Sequence, residues 1–226
     1  MPKRALYEKR PILLASIVAA VAYYALRGAA LPELYLVALK GACVGLLAIY
    51  AFLRHGNCDA RLLMWMLALG AIGDIAIEYD MVAGGLSFFL AHLFAITLFL
   101  RHRRVALTGS QRWAVGSLLM LTPIIAWALP ADRGAAPGLA LYALALGGMA
   151  ASAWASSFPR YRVGLGAVLF VVSDLLIFSE FGPLANSAIP GLLVWPIYYL
   201  AQLLICVGVM QSLRKRAPEL RVATSR

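Results

Sequence analysis

The 226-residue sequence predicts an all-α integral membrane protein with eight transmembrane helices and both termini cytoplasmic, a single polytopic domain over residues 1–226. Three observations predict it. Hydrophobic residues make up 63% of the chain and charged residues only 13%, whereas a soluble domain is about half apolar and about a quarter charged. The apolar residues gather into eight runs, each near the length of about 20 that one crossing needs. All but a few of the charges fall between or at the ends of these runs, and the short connections leave no stretch for a separate soluble domain.

Taken in order, the runs place helices at about 11–27, 32–53, 61–79, 82–100, 112–129, 137–156, 162–180 and 190–213. The first follows a basic start and stops before Gly28-Ala29-Ala30, the pattern of a cleaved signal sequence. Cleavage would leave seven spans and put the basic tail outside, so the helix is retained. The second closes at Arg54, the third opens at Arg61, and the fourth closes before Arg101. The fifth lies between Arg112 and Pro130, the sixth opens at Pro137, the seventh runs from Arg162 to Glu180, and the eighth from Pro190 to Arg214.

Lys and Arg counted on alternate sides give 17 on the side of the termini and two, Arg27 and Arg133, on the other. By the positive-inside rule the termini face the cytoplasm, and the expected location is the cytoplasmic (inner) membrane of a bacterium. The same rule accounts for the net charge of +10, so nucleic acid is not expected as a partner. Cys43, Cys58 and Cys206 form no disulfide framework and no CxxC site.

Leu69-Gly70-Ala71-Ile72-Gly73-Asp74 resembles Leu169-Phe170-Val171-Val172-Ser173-Asp174, and Leu90-Ala91-His92-Leu93 resembles Leu200-Ala201-Gln202-Leu203. Helices three and four thus read as counterparts of seven and eight, a parallel four-plus-four repeat with any shared site near the repeat interface.

Lys40, Asp74, His92 and Asp174 are the ionisable side chains committed to apolar runs. A charge at the bilayer centre costs on the order of 2.5–3.5 kcal/mol, so such residues normally face the interior and act there. At about 1.5 Å of rise per residue, Asp74, Asp174 and Lys40 lie about 20, 18 and 21 Å from the basic ends of their helices. Gln202 and His92 lie about 18 and 14 Å along theirs, so five polar groups share one slab. Interhelical polar glue would explain one carboxylate against one Lys, but not two. Two carboxylates and one ammonium are most cheaply neutral if one Asp keeps its proton. A protonated Asp beside an ionised one is what general acid and base chemistry needs, in acid-assisted hydrolysis or a proton relay.

Other chemistries are poorly served. Membrane zinc hydrolases need several His ligands, but only His92 lies within a span, and His55 and His102 read as solvated loop residues. Ser87 and Ser173 have no evident Ser-His-Asp arrangement, and G-x-S-x-G is lacking. Ser173 reads as packing between helices or hydrogen-bonding Asp174. Gly41 and Gly45 have the spacing that lets helix two pack closely and draw Lys40 inward. Tyr79, Trp195, Tyr198 and Tyr199 read by default as an interfacial belt. Tyr198 shares a face with Gln202, which gives it a place in the cavity lining as its alternative to the belt. Glu78 shares one with Asp74 near the outer end, where it either guards the cavity mouth or is solvated.

Gly73-Asp74, then Gly85-Leu86 with Phe89 and Ala91-His92, then Ser173-Asp174, then Tyr198-Tyr199-Leu200-Ala201-Gln202 resemble the ordered motifs of the YhhN family, which includes the TMEM86-type lysoplasmalogenases. The resemblance covers about residues 36–210. It implies an integral membrane hydrolase that cleaves the vinyl ether bond of lysoplasmalogens to a fatty aldehyde and glycerophospho-ethanolamine or -choline. Its substrate is a lysophospholipid, with water as co-substrate, and no metal or organic cofactor is required. The family's paired acids fall on Asp74 and Asp174; beside them, Lys40, Glu78, His92, Ser173, Tyr198, Tyr199 and Gln202 are the candidate substrate-binding or supporting residues. Two departures bear on pocket shape: Lys40 is followed by Gly41-Ala42-Cys43 where prolines are usual, and Ala95 stands where an aromatic often follows the His. A transporter using the buried charges as a proton relay, and a non-catalytic lipid-binding scaffold, are the alternative readings of the same residues.

Overall fold

The computed structural model describes residues 10–54 and 57–216. His55, and Lys3, Arg4, Lys9, Arg221 and Arg226 among the 17 basic residues counted on the side of the termini, lie outside the described residues, as do both termini. Among the described residues eight helices follow in order: α1 Arg10–Leu26, α2 Glu33–Arg54, α3 Cys58–Ala76, α4 Met81–Arg101, α5 Gly109–Ala128, α6 Ala136–Ala155, α7 Leu165–Ser179 and α8 Ile189–Arg216. A π-helical turn, Arg160–Gly164, leads directly into α7. No strand occurs among the described residues.

Among the described residues five segments are long and apolar enough to cross a membrane: α2, α4, α6, α7 with its π turn, and α8. α1 is apolar but has 17 residues. α3 carries Asp59, Arg61 and Asp74 within its 19 residues. Large apolar side chains face outward, among them Val18, Leu34 and Trp113 at 66%, 69% and 80% exposure. Water would penalise that surface, whereas lipid accepts it.

Local chemistry sets the helix ends. α3 begins at Cys58, earlier than the charge at Arg61 indicated, because Asn57 caps it: its Oδ1 accepts from the Ala60 N–H at 2.9 Å. Asp80 serves α4 likewise, its Oδ1 accepting from Val82 and Ala83 N–H at 2.7 and 3.2 Å. α3 ends at Ala76, so Glu78 stands in the turn beyond it. Gln111 Oε1 accepts from the Thr108 N–H at 3.0 Å and starts α5 ahead of Arg112.

The chain divides into two compact units, Met1–Phe94 with Cys206–Arg226, and Ala95–Ile205. In the first, α1 packs on α2 and α2 on α3. Ser16 Oγ donates to the Cys43 carbonyl at 2.6 Å. Gly41 is where α2 meets α3: a Cβ there would lie 2.5 Å from Ile75 Cδ1 and 3.5 Å from the Ala71 carbonyl oxygen. The three cysteines are free, Cys43 and Cys206 buried and Cys58 exposed.

In the second unit α6 is the central helix, in contact with α5 and α7. Its buried face is made of small residues, including Ala143, Gly147, Ala150, Ala151 and Ala153, which lets backbones approach. A Cβ on Gly147 would stand 2.6 Å from the Leu118 carbonyl oxygen of α5. The loop after α6 is tied to the end of α4: Arg104 N–H donates to the Ala155 carbonyl at 3.1 Å and Ser157 N–H to the His102 carbonyl at 2.8 Å. His102, expected in solvent, packs its ring edgewise on buried Phe158 at 4.9 Å between centroids. The reason is this tie, which brings the two loops together.

Gly147→Ala is expected to lower thermal stability in detergent by about 1–3 kcal/mol, because the methyl meets backbone that cannot yield. Gly148→Ala, whose methyl would meet the side-chain ends Ile96 Cδ1 at 3.4 Å and Leu119 Cδ1 at 4.0 Å, is expected to be neutral or stabilising through helix propensity. Equal melting midpoints for the two variants would contradict the packing.

Candidate functional site

Asp174 sits on α7 in an otherwise apolar stretch and is 6% exposed. Tyr142, one helix earlier in α6, donates its hydroxyl to Asp174 Oδ2 at 2.7 Å. The phenol is fixed by its own ring, which meets Phe178 of α7 edge to face at 5.7 Å. Ala126, Ala143 and Phe178 form the apolar cluster on which Tyr142 rests. Ser173 Oγ lies 2.8 Å from the Phe170 carbonyl oxygen and 3.3 Å from Asp174 Oδ1. Both carboxyl oxygens are therefore met by hydroxyls, the arrangement that makes a buried acid tolerable.

α8 adds an aromatic wall to the same unit. Pro196 interrupts its hydrogen-bond ladder just before Tyr198 and Tyr199. Tyr198 packs edge to face on Phe170 of α7 at 5.3 Å, and Trp195 stacks on Tyr199 at 6.3 Å. Gln202 donates Nε2–H to the Tyr198 hydroxyl at 3.2 Å. Its Oε1 is buried without a hydrogen-bond partner. Trp195, Tyr198 and Tyr199 are all buried, which corrects the interfacial-belt expectation for these three. Tyr79, 65% exposed, fits it. Close approach of α7 and α8 puts the aromatics inside: a Cβ on Gly166 would lie 2.9 Å from the Ala201 carbonyl oxygen.

In the other unit Asp74 is 3% exposed on α3 and His92 is 1% exposed on α4. Lys40 of α2 donates to Glu78 Oε1 in an ion pair across to the turn after α3. Asp74 lies close enough to Lys40 for their charges to interact, and the Tyr23 phenol is near enough to feel Lys40, Glu78 and Asp74. Close packing at Gly41, next in sequence to Lys40, accounts for this meeting of α2 and α3.

The structure thus joins Asp174 with Ser173, Tyr198 with Gln202, and Lys40 with Glu78. Tyr142 and Tyr23 are the residues that sequence reasoning missed. The YhhN family model matches residues 35–209. The chain belongs to the YhhN family. The matched span includes every candidate residue from Lys40 to Gln202. Comparison with curated proteins and with solved structures gives no match.

A double-mutant cycle on Lys40→Gln and Glu78→Gln is expected to show a favourable coupling of about 1 kcal/mol in detergent unfolding. Strictly additive losses would contradict the ion pair.

Proposed function

We propose that this YhhN-family protein is a membrane hydrolase, with eight crossings and both termini on the basic, cytoplasmic side, that cleaves the vinyl ether bond of lysoplasmalogens. The observation that carries this reading is the Tyr142–Asp174–Ser173 arrangement. A hydroxyl has one proton to give. The Phe170 carbonyl can only accept, and at 2.8 Å it takes the Ser173 proton. The lone pair of Ser173 then faces Asp174 Oδ1, 3.3 Å away, and suits a proton carried on that oxygen. Tyr142 meanwhile donates to Oδ2. Asp174 is in this reading the neutral acid, and the Lys40–Glu78 pair gives Asp74 the more polar setting of an ionised carboxylate.

The reaction follows from these roles. Asp174 gives its Oδ1 proton to the alkene carbon beyond the ether carbon, and the C=C electron pair forms the new C–H bond. The oxocarbenium ion that results is stabilised by a carboxylate, the part assigned to Asp74, as in two-carboxylate glycoside hydrolysis. Water adds to the cationic carbon and its proton returns to Asp174. The hemiacetal collapses to a fatty aldehyde and a glycerophospho-ethanolamine or -choline, so one water is consumed and one C–O bond broken. These steps use the chain's own acids and water.

Aldehyde release from a lysoplasmalogen by detergent-purified protein tests the proposal, with an ester-linked lysophospholipid as control. Asp174→Asn and Asp74→Asn are each expected to lower release by at least about a hundredfold, and Tyr142→Phe by about tenfold through loss of one charge-adjacent hydrogen bond. Normal turnover in either Asp variant would overturn the assignment. Movement of intact lipid in proteoliposomes without aldehyde would replace it with transport.

A further inference from the structure

Arg160, the first residue of the π turn before α7, holds a group that the proposed reaction does not use. Its Nε and Nη2 are both buried and meet no hydrogen-bond partner. These two nitrogens form the side-on fork of a guanidinium, whose parallel N–H bonds match two oxygens of one oxyanion. A second guanidinium is close by. Arg104 is drawn below the ordinary arginine range by partial burial and by the charge of Arg160. It is held in place by donation of its Nε–H to the Ser156 carbonyl at 2.7 Å.

The frame around the two is built. Residues Arg103 and Ser156 form an isolated antiparallel bridge. Phe158 is fully buried beneath the loop and meets Phe99 edgewise at 6.1 Å between centroids. Pro159 accepts from Arg162 and Val163 N–H at 3.1 and 2.8 Å and starts the widened turn. Gly164 lets that turn close on Trp154, since a Cβ would lie 2.8 Å from the ring.

No carboxylate of this unit offsets the charge. Its acids are Asp132, Asp174 and Glu180. Glu180 caps the far end of α7. Asp132 neighbours Ala131, whose N–H donates to the Phe181 carbonyl beyond that same end. Asp174 lies fourteen positions after Arg160, about 21 Å along the helix.

We propose that Arg160 and Arg104 form a phosphate-binding site for a phospholipid headgroup or free phosphate, separate from the Asp174 chemistry. The separation decides the second point. In a lysophospholipid only a three-carbon glycerol lies between the phosphate and the vinyl ether, and it spans well under half of that rise. One molecule cannot place its phosphate on Arg160 and its vinyl ether at Asp174. The chemistry recognised is a tetrahedral oxyanion taken by the Arg160 fork, with Arg104 as the second positive charge. The loops that carry it lie at the basic ends of α4, α6 and α7, the level at which lipid phosphates are found in the proposed orientation.

Thermal unfolding of the full chain in a maltoside detergent tests the site. The probes are dihexanoyl-phosphatidylglycerol, inorganic phosphate and, lacking phosphate, dihexanoylglycerol. The wild type is expected to gain stability saturably with the phospholipid and not with dihexanoylglycerol. Arg160→Lys, which keeps the charge but loses the fork, and Arg160→Gln are expected to bind about tenfold more weakly or worse. Arg104→Gln is expected to weaken binding too, and it carries the test if the Arg160 variants do not purify. An equal effect of inorganic phosphate would assign free phosphate as the ligand, and an effect of the phospholipid alone would assign the headgroup. Absence of stabilisation by either phosphate probe, an equal gain with dihexanoylglycerol, or unchanged affinity in the variants would overturn the proposal.

Discussion

A carboxyl placed in an apolar helix must be neutral or hydrogen-bonded, and the hydrogen bond from Tyr142 to Asp174 is how this chain meets that condition. Leaving such a group without partners costs more than most single contacts in a protein return. The bond also joins two helices, so the spacing of α6 and α7 is set by a polar contact as well as by packing. The Phe178 ring then orients Tyr142, and α8 lays Tyr198 against Phe170 on the same helix. In the proposed reaction the same contact leaves the other carboxyl oxygen to carry the proton.

Small residues make these polar contacts reachable. In lipid there is no hydrophobic gain from bringing two helices together, so close approach rests on contact between backbones and short side chains. Gly41 serves α2 and α3, next to Lys40, and Gly147 serves α5 and α6, two turns of helix from Tyr142 or less. The ion pair of Lys40 with Glu78 shows the same logic in the first unit: a Lys committed to an apolar helix finds a carboxylate at the helix end rather than water.

Much of this was legible in the sequence. Eight apolar runs separated by charges mark the eight helices, because a bilayer demands length and apolarity above all else. Exact starts were not legible where a cap rather than a charge decides them, as at Asn57, or where a π turn precedes the helix, as at Arg160. Asp74 and Asp174 stood out because a charge in an apolar run is costly. Tyr142 did not, since a tyrosine in such a run carries no charge and is common. The expected repeat held a clue, because Lys40 precedes Asp74 by 34 positions and Tyr142 precedes Asp174 by 32. The default interfacial-belt reading failed for Trp195, Tyr198 and Tyr199, and only Tyr198 carried a cavity alternative through Gln202, because depth along a helix is readable from sequence, whereas which side faces another helix is not.

The central claim is that a buried carboxylic acid protonates the alkene carbon of a vinyl ether. It is tested most directly by a single turnover of lysoplasmalogen in heavy water, with the aldehyde reduced at once to the alcohol and its mass spectrum read. The account predicts one deuterium on the carbon next to the former carbonyl, delivered by an acid equilibrated with solvent. Aldehyde formed without deuterium at that carbon would contradict it.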